Sequence, residues 1–147
     1  MTAARHWHGY TWDGTAADLR DESQRRPAGP NEPETQAFLR SSLPPVRTGH
    51  YLLRRPDAGR TWVDPDEVIN WLVAQYERRP PQERENGAQA YVGLNSWIGT
   101  SCDGLVSGVD AWWQYYINNS GGQVVWAAIC CPHTHLLDIP CPMPPRT

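Results

Sequence analysis

The sequence predicts an α+β fold, an antiparallel sheet of four or five strands with one main helix, about residues 65–79, packed on one face. Three observations carry that expectation. Asp64-Pro65-Asp66-Glu67 is a strong helix start placed directly before an amphipathic run. AWWQYYINN (111–119) and QVVWAAICC (123–131) are β-prone runs joined by Ser-Gly-Gly, the pattern of a hairpin. HWHGYTW (6–12) alternates with the period of a strand.

Taken in order, the first run places His6, His8, Tyr10 and Trp12 on one strand face and Trp7 on the other. Asp13-Gly14 turns the chain, and Thr15 with Asp18 opens a short polar helix over about 16–26. RRPAGPNEP (25–33) reads as a surface linker, and ETQAFLRSSL supplies a turn or two of helix before Pro44-Pro45 stops it. GHYLLRR (49–55) reads as a short strand, followed by the PDAG turn and TWV (61–63). In the main helix Asp64 caps the free N–H groups and Pro65 fits the first position. Val68, Ile69, Leu72 and Tyr76 then share one stripe, with Trp71 at its edge. After a polar loop holding Glu83 and Glu85, QAYVGLNSWI (89–98) alternates like a strand and GTSCDGLVSG (99–108) reads as a glycine-rich connection. At 147 residues the chain is sized for a single domain. Its expected layout is an N-terminal arm over 1–47, with the linker at about 27–35, and a compact α+β core over 48–147.

Charge and composition narrow the functions. Residues 1–60 hold nine arginines against seven acids, net +2, and residues 61–147 four against nine, net −5. The last sixty residues carry only Asp103, Asp110, Asp138 and Arg146, so that stretch is either buried or covers a partner. Arginine is neither clustered nor in excess, which argues against nucleic-acid binding. Every basic residue is arginine, so lysine Schiff-base chemistry and a Walker lysine are both ruled out. No apolar run is long enough to span a membrane, and the N-terminus lacks the apolar core of a secretory signal. A cytoplasmic location, and hence reduced cysteines, is the expectation.

Three constellations offer chemistry. AICCPHTHLLDIPC (128–141) packs three of the four cysteines and two of the five histidines together. If its strand continues, Cys131, His133 and His135 share a face with alternate residues about 6.6 Å apart. Cys141 looping back would complete a tetrahedral set suited to zinc. His6 and His8 form a second His-x-His pair that could complete a site if the N-terminal strand lies nearby. Against this, Pro132 removes a backbone donor and ends the strand or places it at an edge. Cys130 and Cys131 also point to opposite faces, and a buried strand end explains ICC without any metal.

Cys102 in its glycine-rich stretch is a candidate nucleophile, with a histidine brought close by the fold as its base; for general acid–base work the candidates are His8, His50, His133 or His135 and the acids Asp103 and Asp110. The string Cys102-Asp103-Gly104-Leu105-Val106 resembles the cysteine motif of the NlpC-like cell-wall peptidases, in which the cysteine follows an aspartate and starts a helix. Here Ser101 precedes it, Gly104 and Gly108 weaken a helix, and the likeness spans five residues.

The third feature is aromatic. Eight tryptophans and six tyrosines stand against one phenylalanine, a balance favoured where a ring is half buried and half wet. Trp97, Trp112, Gln114, Tyr116 and Trp126 are the candidate ligand-binding residues of an aromatic pocket. The function so predicted is a small-molecule-binding domain with an aromatic-lined pocket for a small organic ligand, a small acid–base enzyme of specialised metabolism being one form it could take. The alternative is a non-enzymatic interaction module whose charge-poor C-terminal half meets a protein partner. A zinc-binding protein through residues 131–141 is the third.

Overall fold

The computed structural model describes residues 5–29, 31–82 and 93–145. Its elements are β1 (His6–Thr15), α1 (Pro33–Arg40), β2 (Thr61–Trp62), α2 (Pro65–Arg78), α3 (Leu94–Val106), β3 (Ala111–Tyr116) and β4 (Gly122–Cys131). The strands form one antiparallel sheet in the order β2-β1-β4-β3, which is the α+β architecture the sequence predicts. β1, from the stretch expected as an arm, lies inside the sheet and pairs with β4 along ten residues, from His6 opposite Cys131 to Thr15 opposite Gly122.

Alternation along the strands builds two cores. On one face Trp7, Trp113, Tyr115, Val124, Trp126 and Cys130 meet α2 and α3. The Asp64 carboxylate accepts the Asp66 N–H at 2.9 Å, and α2 buries Val68, Ile69, Leu72 and Tyr76 against the sheet. Two indole donors lock this side. Trp113 Nε1 donates to Ser101 of α3 at 2.9 Å, and Trp126 Nε1 to the Tyr115 hydroxyl at 2.8 Å. The other face, with Tyr10, Trp12, Val125, Ala127, Ile129 and Cys131, is covered by Tyr51, Leu52, Leu43 and, from the tail, Ile139. Both aromatic faces of the hairpin thus find cover within the chain.

Three local expectations fail. GHYLLRR is not a strand; Thr48–Leu53 is a 3₁₀ helix that buries Tyr51 and Leu52. The polar helix over 16–26 is two separate 3₁₀ turns, Asp18–Arg20 and Glu22–Gln24. The stretch read as strand and glycine-rich connection is helix α3; residues 89–92 of that strand, like Glu83 and Glu85, lie outside the described residues. The reason for α3 lies in its spacing. Leu94, Trp97, Ile98, Cys102 and Leu105 recur at three and four residues and pack on the first core. A Cβ at Gly99 would meet open space, so the interior glycine costs helix propensity without being required by a close neighbour. Gly108, at φ +82°, then ends the helix in a Schellman motif, with Val109 N–H on Gly104 O at 2.8 Å and Gly108 N–H on Leu105 O at 3.0 Å.

Candidate metal centre

Four potential ligands converge where the ends of β1 and β4 meet the C-terminal tail. His6 and His8 lie two apart on β1 and so share a face. The register sets His6 directly opposite Cys131, whose side chain shares that face, and the tail returns Cys141 to the same point. The ligand atoms of His6, His8, Cys131 and Cys141 all lie within 4.8 Å of one another. A tetrahedral zinc with ordinary Zn–S and Zn–N bonds needs ligand atoms roughly 3.3–3.8 Å apart, so closure onto an ion asks for about 1 Å of movement. His6, His8 and Cys131 are fully buried. His6 and His8 meet edge to face with ring centres 4.9 Å apart, and His6 Nε2 lies 3.3 Å from Cys141 Sγ.

The protonation of His8 follows from its neighbours. The Thr61 hydroxyl donates its hydrogen to Asp57 O at 3.1 Å. It therefore accepts at its 2.9 Å contact with His8 Nδ1, which must carry the ring proton. His8 Nε2 is then a bare lone pair, buried and without a hydrogen-bond partner. Burial, with the His6 imidazole beside it, pushes His8 down to about 4, so the ring is neutral and ready to ligate at physiological pH. Burial, then the hydrogen bond and charge of Cys141, pushes the Cys131 thiol up to about 12. Only a cation at the site would make it a thiolate.

Of the residues the sequence singled out as ligands, Cys131 and Cys141 come together here, while His133 and His135 do not join them. Pro132 stands just past the end of β4, and the chain turns away. His133 Nε2 instead meets Asp110 Oδ2 at 2.8 Å, and its Nδ1 accepts the His135 N–H at 3.2 Å. Asp110 also takes the Thr48 hydroxyl at 2.8 Å and the Cys130 N–H at 2.7 Å, so this carboxylate is a clasp between β4, the turn after it and the 3₁₀ helix. His135 is exposed.

The candidate catalytic residues are dispersed. His8 belongs to the His/Cys cluster and Asp110 to the clasp. Cys102 packs in the middle of α3, not at a helix start as in the peptidases it resembles. His50 stands edge to face with Phe38, and burial together with Arg47 keeps it below the ordinary histidine range. No hydrogen bond joins any two of these four among the described residues; of the remaining acid–base candidates, His133 meets Asp110 at 2.8 Å. Of the aromatic set, Trp97 and Trp112 share a cavity of about 310 Å³ with Trp113, Thr100 and Ser101. Gln114 is spent on Trp112 Nε1 and Gln123, Tyr116 is exposed, and Trp126 is buried. No helix among the described residues is long and apolar enough to cross a membrane. The signal for His6 and His8 as ligands was their spacing on an alternating strand; what the sequence lacked was the pairing of β1 with β4. No protein-family model matches the chain, and neither a curated protein nor a solved structure is similar to it.

Proposed function

We propose that this chain is a zinc-binding α+β domain in which one ion, held by His6, His8, Cys131 and Cys141, ties the first strand, the last strand and the C-terminal tail together. The observation that carries the reading is His8 Nε2, a buried acceptor with no hydrogen-bond partner, set among two cysteines and a second imidazole. A buried lone pair with no donor is costly, and a cation is the partner that this donor set selects. Two thiolates would neutralise Zn²⁺, so the loaded site carries no net charge into the interior. Four protein ligands leave no open position for water, which makes the ion structural rather than catalytic.

The test is metal analysis of the purified chain beside its thermal unfolding. One zinc per chain is expected, with a fall in Tm on chelation that added zinc reverses, and cobalt substitution should give the absorption of a tetrahedral S₂N₂ site. A chain that holds no zinc and gains no stability from it would refute the proposal.

A further inference from the structure

A second polar cavity lies away from the zinc cluster. β2 pairs only with Trp7 and His8, so β1 runs on past its end with an open flank. A cavity of about 350 Å³ lies against that flank at Gly9, Tyr10 and Thr11, walled by Ser41, Ser42, Tyr51, Arg54, Arg55 and Arg60. A neighbouring cavity of about 310 Å³ shares Thr11 and Ser42 and adds Arg78 and Arg79, the latter already paired with Asp13 of the same wall at 2.6 Å. The chain as a whole is net −3. Yet the first cavity gathers three arginines against one acid, Asp57, whose Oδ1 already accepts the Gly59 N–H at 2.7 Å.

The donors there are not all spent. Arg54 is 7% exposed and forms no salt bridge among the described residues. Its guanidinium is held by the carbonyls of Phe38 at 2.9 Å, Leu43 at 2.6 Å and Gln24 at 3.5 Å, and lies 4.3 Å from the Phe38 ring centre. Three of its five N–H groups are used, which leaves two and a buried positive charge without a counter-ion. Arg60 makes one long hydrogen bond, 3.4 Å to Thr11, and Arg55 makes none among the described residues. The Tyr51 hydroxyl is buried with no partner. A buried charge is ordinarily compensated, so the Arg54 guanidinium behind this wall, with the free donors of Arg55 and Arg60 beside it, points to an acceptor that carries negative charge.

We propose that this cavity binds the oxyanion group, a carboxylate or a phosphate, of a small organic molecule, with Arg55 and Arg60 as its donors and the buried Arg54 charge behind them. The volume sits at the small end of ligand pockets, which favours a compact metabolite over a polymer. Arginine's planar fork suits both oxyanions.

The experiment is an amide NMR titration of the full chain, as purified, with sodium phosphate and separately with sodium acetate, ionic strength being held constant with sodium chloride. Saturable shifts at Gly9, Tyr10, Thr11, Ser41 and Ser42 are expected. Arg55→Gln and Arg60→Gln should each weaken binding about tenfold. Arg55 is exposed and makes no bond the fold needs, so its variant tests binding without risk to folding. Tighter binding of phosphate identifies a phosphorylated ligand, and equal or tighter binding of acetate a carboxylic acid. Shifts that never saturate, shifts spread over arginines elsewhere on the surface, or an affinity unchanged in both glutamine variants would overturn the proposal.

Discussion

His6-Trp7-His8 and His133-Thr134-His135 have the same spacing and opposite fates. The first pair lies on a strand, where alternation puts both rings on one face and the β1–β4 register brings Cys131 to meet them. The second follows Pro132, beyond the end of the last strand, where alternation no longer applies. One ring becomes the buried partner of Asp110 and the other points to solvent. Spacing alone therefore does not bring a His-x-His pair into a Cys/His cluster; an extended backbone held in register does. The contrast between Cys130 and Cys131 makes the same point. Adjacent on β4, they enter different cores, and only Cys131 reaches the cluster.

The largest expected effect breaks the first pair and spares the second. His8→Ala should raise the zinc dissociation constant by more than about a hundredfold, whereas His133→Ala and His135→Ala should each retain one zinc per chain. Competition with a chromogenic chelator measures this directly, and an H133A chain that loses zinc would remove the distinction. The reverse asymmetry is expected for stability in zinc-saturated protein. Asp110→Ala strips the buried His133 ring of its acceptor and frees the Thr48 hydroxyl and the Cys130 N–H, at a cost of about 2–4 kcal/mol. Urea unfolding should report that loss while metal content stays at one per chain. An Asp110→Ala chain as stable as the parent would mean that the clasp carries no weight.

How much of this was legible depends on whether a feature is local. The cap at Asp64-Pro65, the stripe of α2 and the Gly-bearing hairpin are written within a few residues of themselves, and the structure has them. α3 is local too, but its signals conflict: Gly99 and Gly104 favour a loop, while the apolar spacing of Leu94, Ile98, Cys102 and Leu105 favours the helix that forms. Gly108, taken as part of a loop, is the glycine that caps the helix. The candidate site divides in the same way. The opposite directions of Cys130 and Cys131 and the shared face of His6 and His8 follow from strand geometry alone. That His6 stands opposite Cys131 is a contact across 125 positions, 131 minus 6, set by which strands pair, and no local pattern encodes it. The turn after β4 hid the rest, since the sequence gives no sign that Asp110 claims His133.

The finest distinction between the two histidine pairs is what each ring's far nitrogen does, and Thr61 sets it for His8. The hydroxyl gives its hydrogen to Asp57 O and so can only accept from Nδ1, which fixes the tautomer that leaves Nε2 bare toward the cluster. Thr61→Val keeps the shape but removes the acceptor, leaving a buried N–H unpaired in the tautomer that zinc requires. Zinc affinity should fall about tenfold, at the low end for loss of a ligand's hydrogen-bonding partner, and Thr61→Ser should restore it. Packing cannot mimic that outcome. Valine fills the threonine volume while serine does not, so a purely steric role would reverse the order of the two variants. Equal affinity in all three chains would mean that His8 is oriented by the strand alone, as its neighbour His6 is placed by the register opposite Cys131.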